Sequence, residues 1–110
     1  MIDPLAAQAP EQRTIRRRER RARKREKARI FYDILTSIVE HENGVKDGVR
    51  ITYVQDDVNL PSDRLRIHLR EMNKLGLVRY DKMLASTEKG RQYLVEYRRI
   101  VATLKQFGLL

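Results

Sequence analysis

The sequence predicts a mainly α-helical chain with one small β-hairpin, in the order helix, helix, helix, hairpin, helix. Three observations carry this. Apolar residues recur at helical spacing in several separate stretches. Pro, Gly, Asn and Thr stand where those stretches begin and end. The run LVRYDKMLAS, residues 77–86, breaks the helical spacing with two short segments about a polar Asp81-Lys82 pair.

Residues 1–10, MIDPLAAQAP, have little to bury and are expected to be disordered. From Glu11 to Glu42 there is neither Gly nor Pro, and Ile30, Phe31, Ile34, Leu35, Ile38 and Val39 mark one face of a core-packed helix. Asn43-Gly44 stops it. GVKDGVR, residues 44–50, reads as a loop. Thr52 and Gln55 fit a capping box, so a short helix is expected to start at Thr52 and end near Asn59. Pro61-Ser62 marks a tight turn and the next helix, whose core face is Leu65, Leu69 and Met72 and whose stop is Gly76. Strands at about 77–80 and 83–86 are expected to flank a two-residue turn at Asp81-Lys82. Thr87, with Ser86 as the alternative, then caps a last helix that carries Glu88 at its positive end and runs to about Phe107.

Two short helices joined by a turn of about four residues make a helix-turn-helix. Followed by a hairpin, they make a winged helix-turn-helix, here with a long C-terminal helix. The predicted division is an arm at 1–29, disordered or helical only when bound, a winged helix-turn-helix at 30–86, and a C-terminal dimerisation helix at 87–110.

Charge separates the arm from the body. The chain has 110 residues and a formal net charge of +9. Residues 11–29 hold eleven basic and three acidic side chains, whereas residues 30–110 hold thirteen and eleven. A concentrated cation beside a near-neutral body points to a polyanionic partner. The absence of Cys excludes disulfides and thiolate chemistry. No apolar run approaches the roughly 20 residues of a membrane span, and the N-terminus lacks the pattern of a secretory signal. Catalysis is not expected. There is no phosphate-cradling Gly-rich loop and no metal-type His cluster, for His41 and His68 lie far apart in sequence. Asp56 and Asp57 would point about 100° apart on a helix, toward solvent or a later helix start. No cofactor and no metal are expected.

The candidate binding residues form four groups. The arm supplies Arg16, Arg17, Arg18, Arg20, Arg21, Arg23, Lys24, Arg25 and Lys27. The helix opened by Ser62 presents Arg64, Arg66, Ile67, Arg70 and Lys74, with Asp63, away from its core face. In a helix-turn-helix that face enters the major groove. Arg66 and Arg70 suit guanine, Ile67 a thymine methyl, and Lys74 a phosphate. The hairpin offers Arg79 and Lys82 to sugar-phosphate. On the last helix, Tyr93, Tyr97, Ile100, Leu104 and Phe107 follow a heptad seam, widened by Leu94 and Val101. Its far half, with Tyr97, Ile100, Val101, Leu104 and Phe107, is expected to pair with a second copy.

The runs ARIFYDILTSIVEHENGV, ITYVQDDVNLPSDRLRIHLREMNKLGLV and STEKGRQYLVEYRRI together resemble the archaeal winged helix-turn-helix family, over about residues 28–110. NLPSDRL, KLGLV and TEKGRQYL carry the likeness. The resemblance implies a small DNA-binding protein, either a transcriptional regulator or a chromatin-type protein that dimerises through an antiparallel C-terminal coiled coil. It implies a cytoplasmic, nucleoid-associated location. The arginine-rich arm lies outside the family pattern. Duplex DNA is thus the expected partner. The alternatives are an RNA-binding protein that uses the arm, and a protein–protein adaptor of the transcription machinery.

Overall fold

Residues 27–43 and 47–110 are described by a computed structural model. The segment 1–10, the arm up to residue 26 and Gly44 lie outside the described residues. Helix α1, described over 27–42, buries Phe31, Ile34, Leu35 and Ile38, the stripe its spacing predicts. Helix α2 (Ile51–Val58) buries Val54 and stops at Asn59, whose positive φ of 53° is the left-handed cap conformation that Asn tolerates. The Thr52–Gln55 capping box does not form. The helix begins one residue earlier, at Ile51, and Arg50 caps it without a side-chain bond. Ile51 packs against the core, so its burial sets the start over the local capping signal.

Helix α3 (Ser62–Lys74) places Leu65, Leu69 and Met72 in the core, as expected. Gly76 ends it at φ 79°. The Gly76 N–H donates to the Asn73 carbonyl at 3.1 Å and the Leu77 N–H to the Met72 carbonyl at 2.9 Å. That pair of bonds is a Schellman motif, and buried Leu77 and Met72 supply its usual apolar contact.

Strands β1 (Val78–Tyr80) and β2 (Leu84–Ser86) pair antiparallel in the register Val78–Ser86, Arg79–Ala85, Tyr80–Leu84. The two-residue turn is replaced by a three-residue loop, Asp81, Lys82 and Met83. Leu84 must face the core, so it pairs with Tyr80 while Asp81 N–H bonds to the Met83 carbonyl at 3.2 Å. The expected 44–50 loop also contributes to the sheet. Val49 and Leu84 exchange backbone bonds of 2.7 and 2.8 Å as an isolated bridge.

Helix α4 (Glu88–Gln106) is capped by Thr87, whose hydroxyl accepts from Gly90 N–H at 3.0 Å and donates to the Gly76 carbonyl at 2.6 Å. One side chain therefore starts α4 and satisfies the end of α3. Gly90 lets α4 lie against the Leu77 carbonyl and Leu35. Farther along, Tyr93 donates to the Ala28 carbonyl at 2.6 Å, and Tyr97 stacks on Tyr32 with ring centres 4.6 Å apart. The molecule is mainly helical with a small two-stranded antiparallel sheet. Among the described residues, no helix is long and apolar enough to cross a membrane.

Candidate nucleic-acid interface

Once α3 buries Leu65, Leu69 and Met72, its other side must face solvent. Asp63, Arg64, Arg66, Ile67, Arg70 and Lys74 are all exposed, and Ser62 is half-buried at the helix start. Ile67 is 58% exposed, an apolar side chain set among guanidinium groups. None of Arg64, Arg66, Arg70 and Lys74 has a carboxylate partner among the described residues. The one other acidic group on this helix, Glu71, is drawn aside into an ion pair with Lys27 at the start of α1. Lys27 also sits 5.8 Å from the Phe31 ring centre.

The hairpin is fixed to α3 by Asn73, whose Oδ1 accepts from the Tyr80 N–H at 3.2 Å. Arg79 and Lys82 are exposed on it. Of the candidate binding residues on the arm, Lys27 alone falls among the described residues, and it is tied to α3. His68 is half-buried edge-on to Phe31 at 5.9 Å. Burial lowers its pKa below the usual imidazole value, so it packs here as a neutral ring.

The C-terminal seam divides in two. Leu94 is buried, and Tyr93 and Tyr97 pack on α1. Beyond them Ile100 is 56% exposed and Phe107 75%. A second Schellman motif at Gly108 turns Leu109 and Leu110 back toward the helix, with Leu109 N–H bonded to the Leu104 carbonyl at 2.8 Å. Tyr93, Tyr97, Ile100, Val101, Leu104, Leu109 and Leu110 then line one open apolar groove of about 500 Å³.

Sequence reasoning missed two constellations. Asp57 was expected in solvent or at a helix start. Instead its Oδ2 receives the Ser37 hydroxyl at 2.7 Å and lies 2.8 Å from His41 Nε2. Those bonds, Ser37 first, lower the Asp57 pKa below the usual carboxylate range. The hydroxyl is committed to the carboxylate and not to the imidazole, so the trio locks α1 to α2 and does not activate a nucleophile. His41 also stacks on Tyr53 at 5.3 Å. The i,i+4 placement of Ser37 and His41 hinted at a shared partner but could not name it. The second constellation joins α1 to α4. Arg98 Nε donates to the Tyr32 hydroxyl at 3.1 Å, and both Arg29 and Arg98 lie over the Tyr32 ring, at 5.7 and 5.8 Å.

Comparison of the chain with family models, curated proteins and solved structures found no match.

Proposed function

We propose that this is a duplex-DNA-binding protein of the winged helix-turn-helix type, a regulator or chromatin-type component and not an enzyme. The observation that carries the reading is the exposed face of α3, where Arg64, Arg66, Arg70 and Lys74 surround Ile67 with no carboxylate answering them among the described residues. In this reading α3 is the recognition helix and enters the major groove, where Arg66 and Arg70 read guanine edges and Ile67 meets thymine methyls. Arg79 and Lys82 on the wing, and the arm from Arg16 to Lys27, hold phosphates. Phosphate contacts fix register without reading sequence, so affinity is dominated by the arm and preference by α3. The Lys27–Glu71 pair supports this division, because it starts the arm beside the recognition helix.

The exposed seam from Ile100 to Leu110 supports pairing with a second copy through α4. Ile100, Leu109 and Leu110 are exposed and line one groove, apolar surface that a second copy would cover. Sedimentation of the full chain tests it: a dimer is expected, and a dimer-to-monomer shift on Ile100→Glu with Leu104→Glu.

DNA binding is tested by fluorescence anisotropy on labelled duplexes at several salt concentrations. Arg66→Ala and Arg70→Ala should each cost about 1–3 kcal/mol, roughly 5- to 150-fold, on preferred sequences and much less on others. Equal binding by the double variant and the parent, or no duplex binding by the parent, refutes the reading. Tighter binding to folded RNA than to duplex would favour the RNA alternative.

A further inference from the structure

Arg91, Arg98 and Lys105 fall seven residues apart on α4. Two full turns of helix separate neighbours, so they form one row with steps of about 10.5 Å. All three are exposed, and none has a carboxylate partner among the described residues. Arg29 stands beside the row, its charge shared with Asp33 at 3.1 Å. On the same helix Arg99 is answered by Glu96 at 3.5 Å and is not part of the row.

Two of the three cations are held in place before any ligand arrives. Arg91 donates to the Ser86 hydroxyl at 2.9 Å, and Arg98 donates Nε–H to Tyr32 at 3.1 Å. The Tyr32 ring is itself fixed by stacking on Tyr97. Arg98 uses only Nε in that bond, which leaves its terminal nitrogens for an anion. Arg98 also holds the Tyr32 phenol below its usual pKa, a sign of close electrostatic contact. Anchored guanidinium groups lose less rotamer freedom on binding than free ones.

This row does not share a side with the α3 face. Lys27 and Phe31 of α1 meet α3 through Glu71 and His68. Tyr32 lies about 100° farther round the helix and meets α4 instead.

We infer that Arg91, Arg98 and Lys105, with Arg29 beside them, form a second track for the phosphodiester backbone of duplex DNA, separate from the recognition helix. At 1.5 Å per residue the row spans about 21 Å, so its three cations can each meet a separate phosphate. No residue of the row is placed to read bases, so the track adds affinity without sequence preference. The inference rests on the duplex-binding reading above.

The test uses the full chain in an Arg66→Gln, Arg70→Gln background, which removes the two guanine readers of α3 and leaves other contacts visible. Adding Arg98→Gln and Lys105→Gln should flatten the slope of log affinity against log salt by about 1.8, at 0.9 per phosphate. Between 50 and 200 mM salt, the background protein should then lose roughly tenfold more affinity than the quadruple variant. Arg91→Gln with Lys105→Gln leaves the Tyr32 bond intact and should give the same flattening. The Arg98 side-chain resonance should also shift when a 12-base-pair duplex is added to the background protein. Unchanged slopes with an unmoved resonance overturn the track, and if Arg66 and Arg70 still matter in the parent, the α3 reading survives. A slope change with folded RNA and none with duplex also overturns it. No duplex binding by the parent overturns both.

Discussion

Gly90→Ala sets two physical effects against each other. Gly90 lies in the first turn of α4, and helix propensity alone predicts that Ala stabilises the site by up to about 1 kcal/mol. The structure predicts the reverse. A Cβ built there would lie 2.9 Å from Leu35 Cδ2 and 3.1 Å from the Leu77 carbonyl carbon, with the carbonyl oxygen closer still. Leu35 could rotate, but the Leu77 backbone is fixed by the Schellman bond to Met72. The helix must therefore move away. Overpacking of this kind costs about 1–3 kcal/mol. Moving α4 also strains the Thr87 cap, a further loss of about 1 kcal/mol. Set against the propensity gain, the net expectation is a loss of about 2 kcal/mol. With a urea m-value of about 1.5 kcal/mol/M, the midpoint should fall by roughly 1.3 M. Gly76→Ala is the contrast. Its nearest neighbour would be Lys89 Cδ at 3.6 Å, so space is ample and only the positive φ opposes the change, at about 1–2 kcal/mol. Equal or higher urea resistance in Gly90→Ala would refute the close packing of α4 on the α3–β1 junction.

Thr87→Ala should destabilise by about 1–2 kcal/mol, because it removes the α4 cap and the donor to the Gly76 carbonyl, while Thr87→Ser should stay within about 0.5 kcal/mol in the same urea assay. Tyr93, pushed up to about 12 by burial, makes stability fall in alkali. The unfolded phenol loses its proton first, near pH 10, so this contribution is complete below pH 10 and drains away toward pH 12; Tyr93→Phe should flatten that limb in pH-dependent thermal melts. Asp57 has the opposite sign: its pKa is depressed in the fold, so its contribution is present above about pH 4 and is lost as pH falls. Asp57→Asn should weaken the neutral protein and flatten its acid limb. Replacing Arg16, Arg17, Arg18, Arg20 and Arg21 by Gln should reduce the duplex salt slope by about 4.5 if each holds a phosphate, and an unchanged slope would remove the arm from the interface.

What the sequence made legible was burial along single elements. The faces of α1 and α3 were readable because a helix that packs on a core must repeat its apolar residues near 3.6. The end of α3 was readable because Gly76 is the residue that takes a positive φ without strain. Pairings between elements were not. Ser37 and Asp57 are 20 residues apart, and Arg98 and Tyr32 are 66 apart. No local pattern joins such residues until the core brings their helices together. Gly90 shows the same limit, for its need to be glycine lies in the Leu77 carbonyl and not in its own helix. At Thr52 the local signal was present and lost, because burying Ile51 outweighed a capping box. On the candidate interface, the sequence picked out the exposed cations of α3 by rotation about the helix, yet gave no sign that Glu71 would be taken up by Lys27.

That last pairing bears on why a near-neutral body could still bind a polyanion. Residues 30–110 carry almost as many acidic as basic side chains. The charges are not spent alike. Asp57 is held by Ser37 and His41, Glu42 by the Ser86 backbone and hydroxyl, Glu71 by Lys27 and Asp33 by Arg29. These carboxylates fasten one element to another or to the root of the arm. The cations of α3 and of the Arg91–Lys105 row have no such duty to a carboxylate among the described residues. A charge tied into short hydrogen bonds presents less of its field to a distant phosphate than an exposed one, and ions beyond about 10 Å are screened at ordinary salt. Local balance on each face therefore governs attraction, and on both of these faces the balance is positive. It follows that Glu71→Gln should do more than remove one negative charge: it frees Lys27 as well, and both changes favour an anion at the arm's root. Duplex affinity should rise by a few-fold at low salt and the gain should vanish as salt increases; a fall in affinity would mean that the ion pair serves to aim the arm.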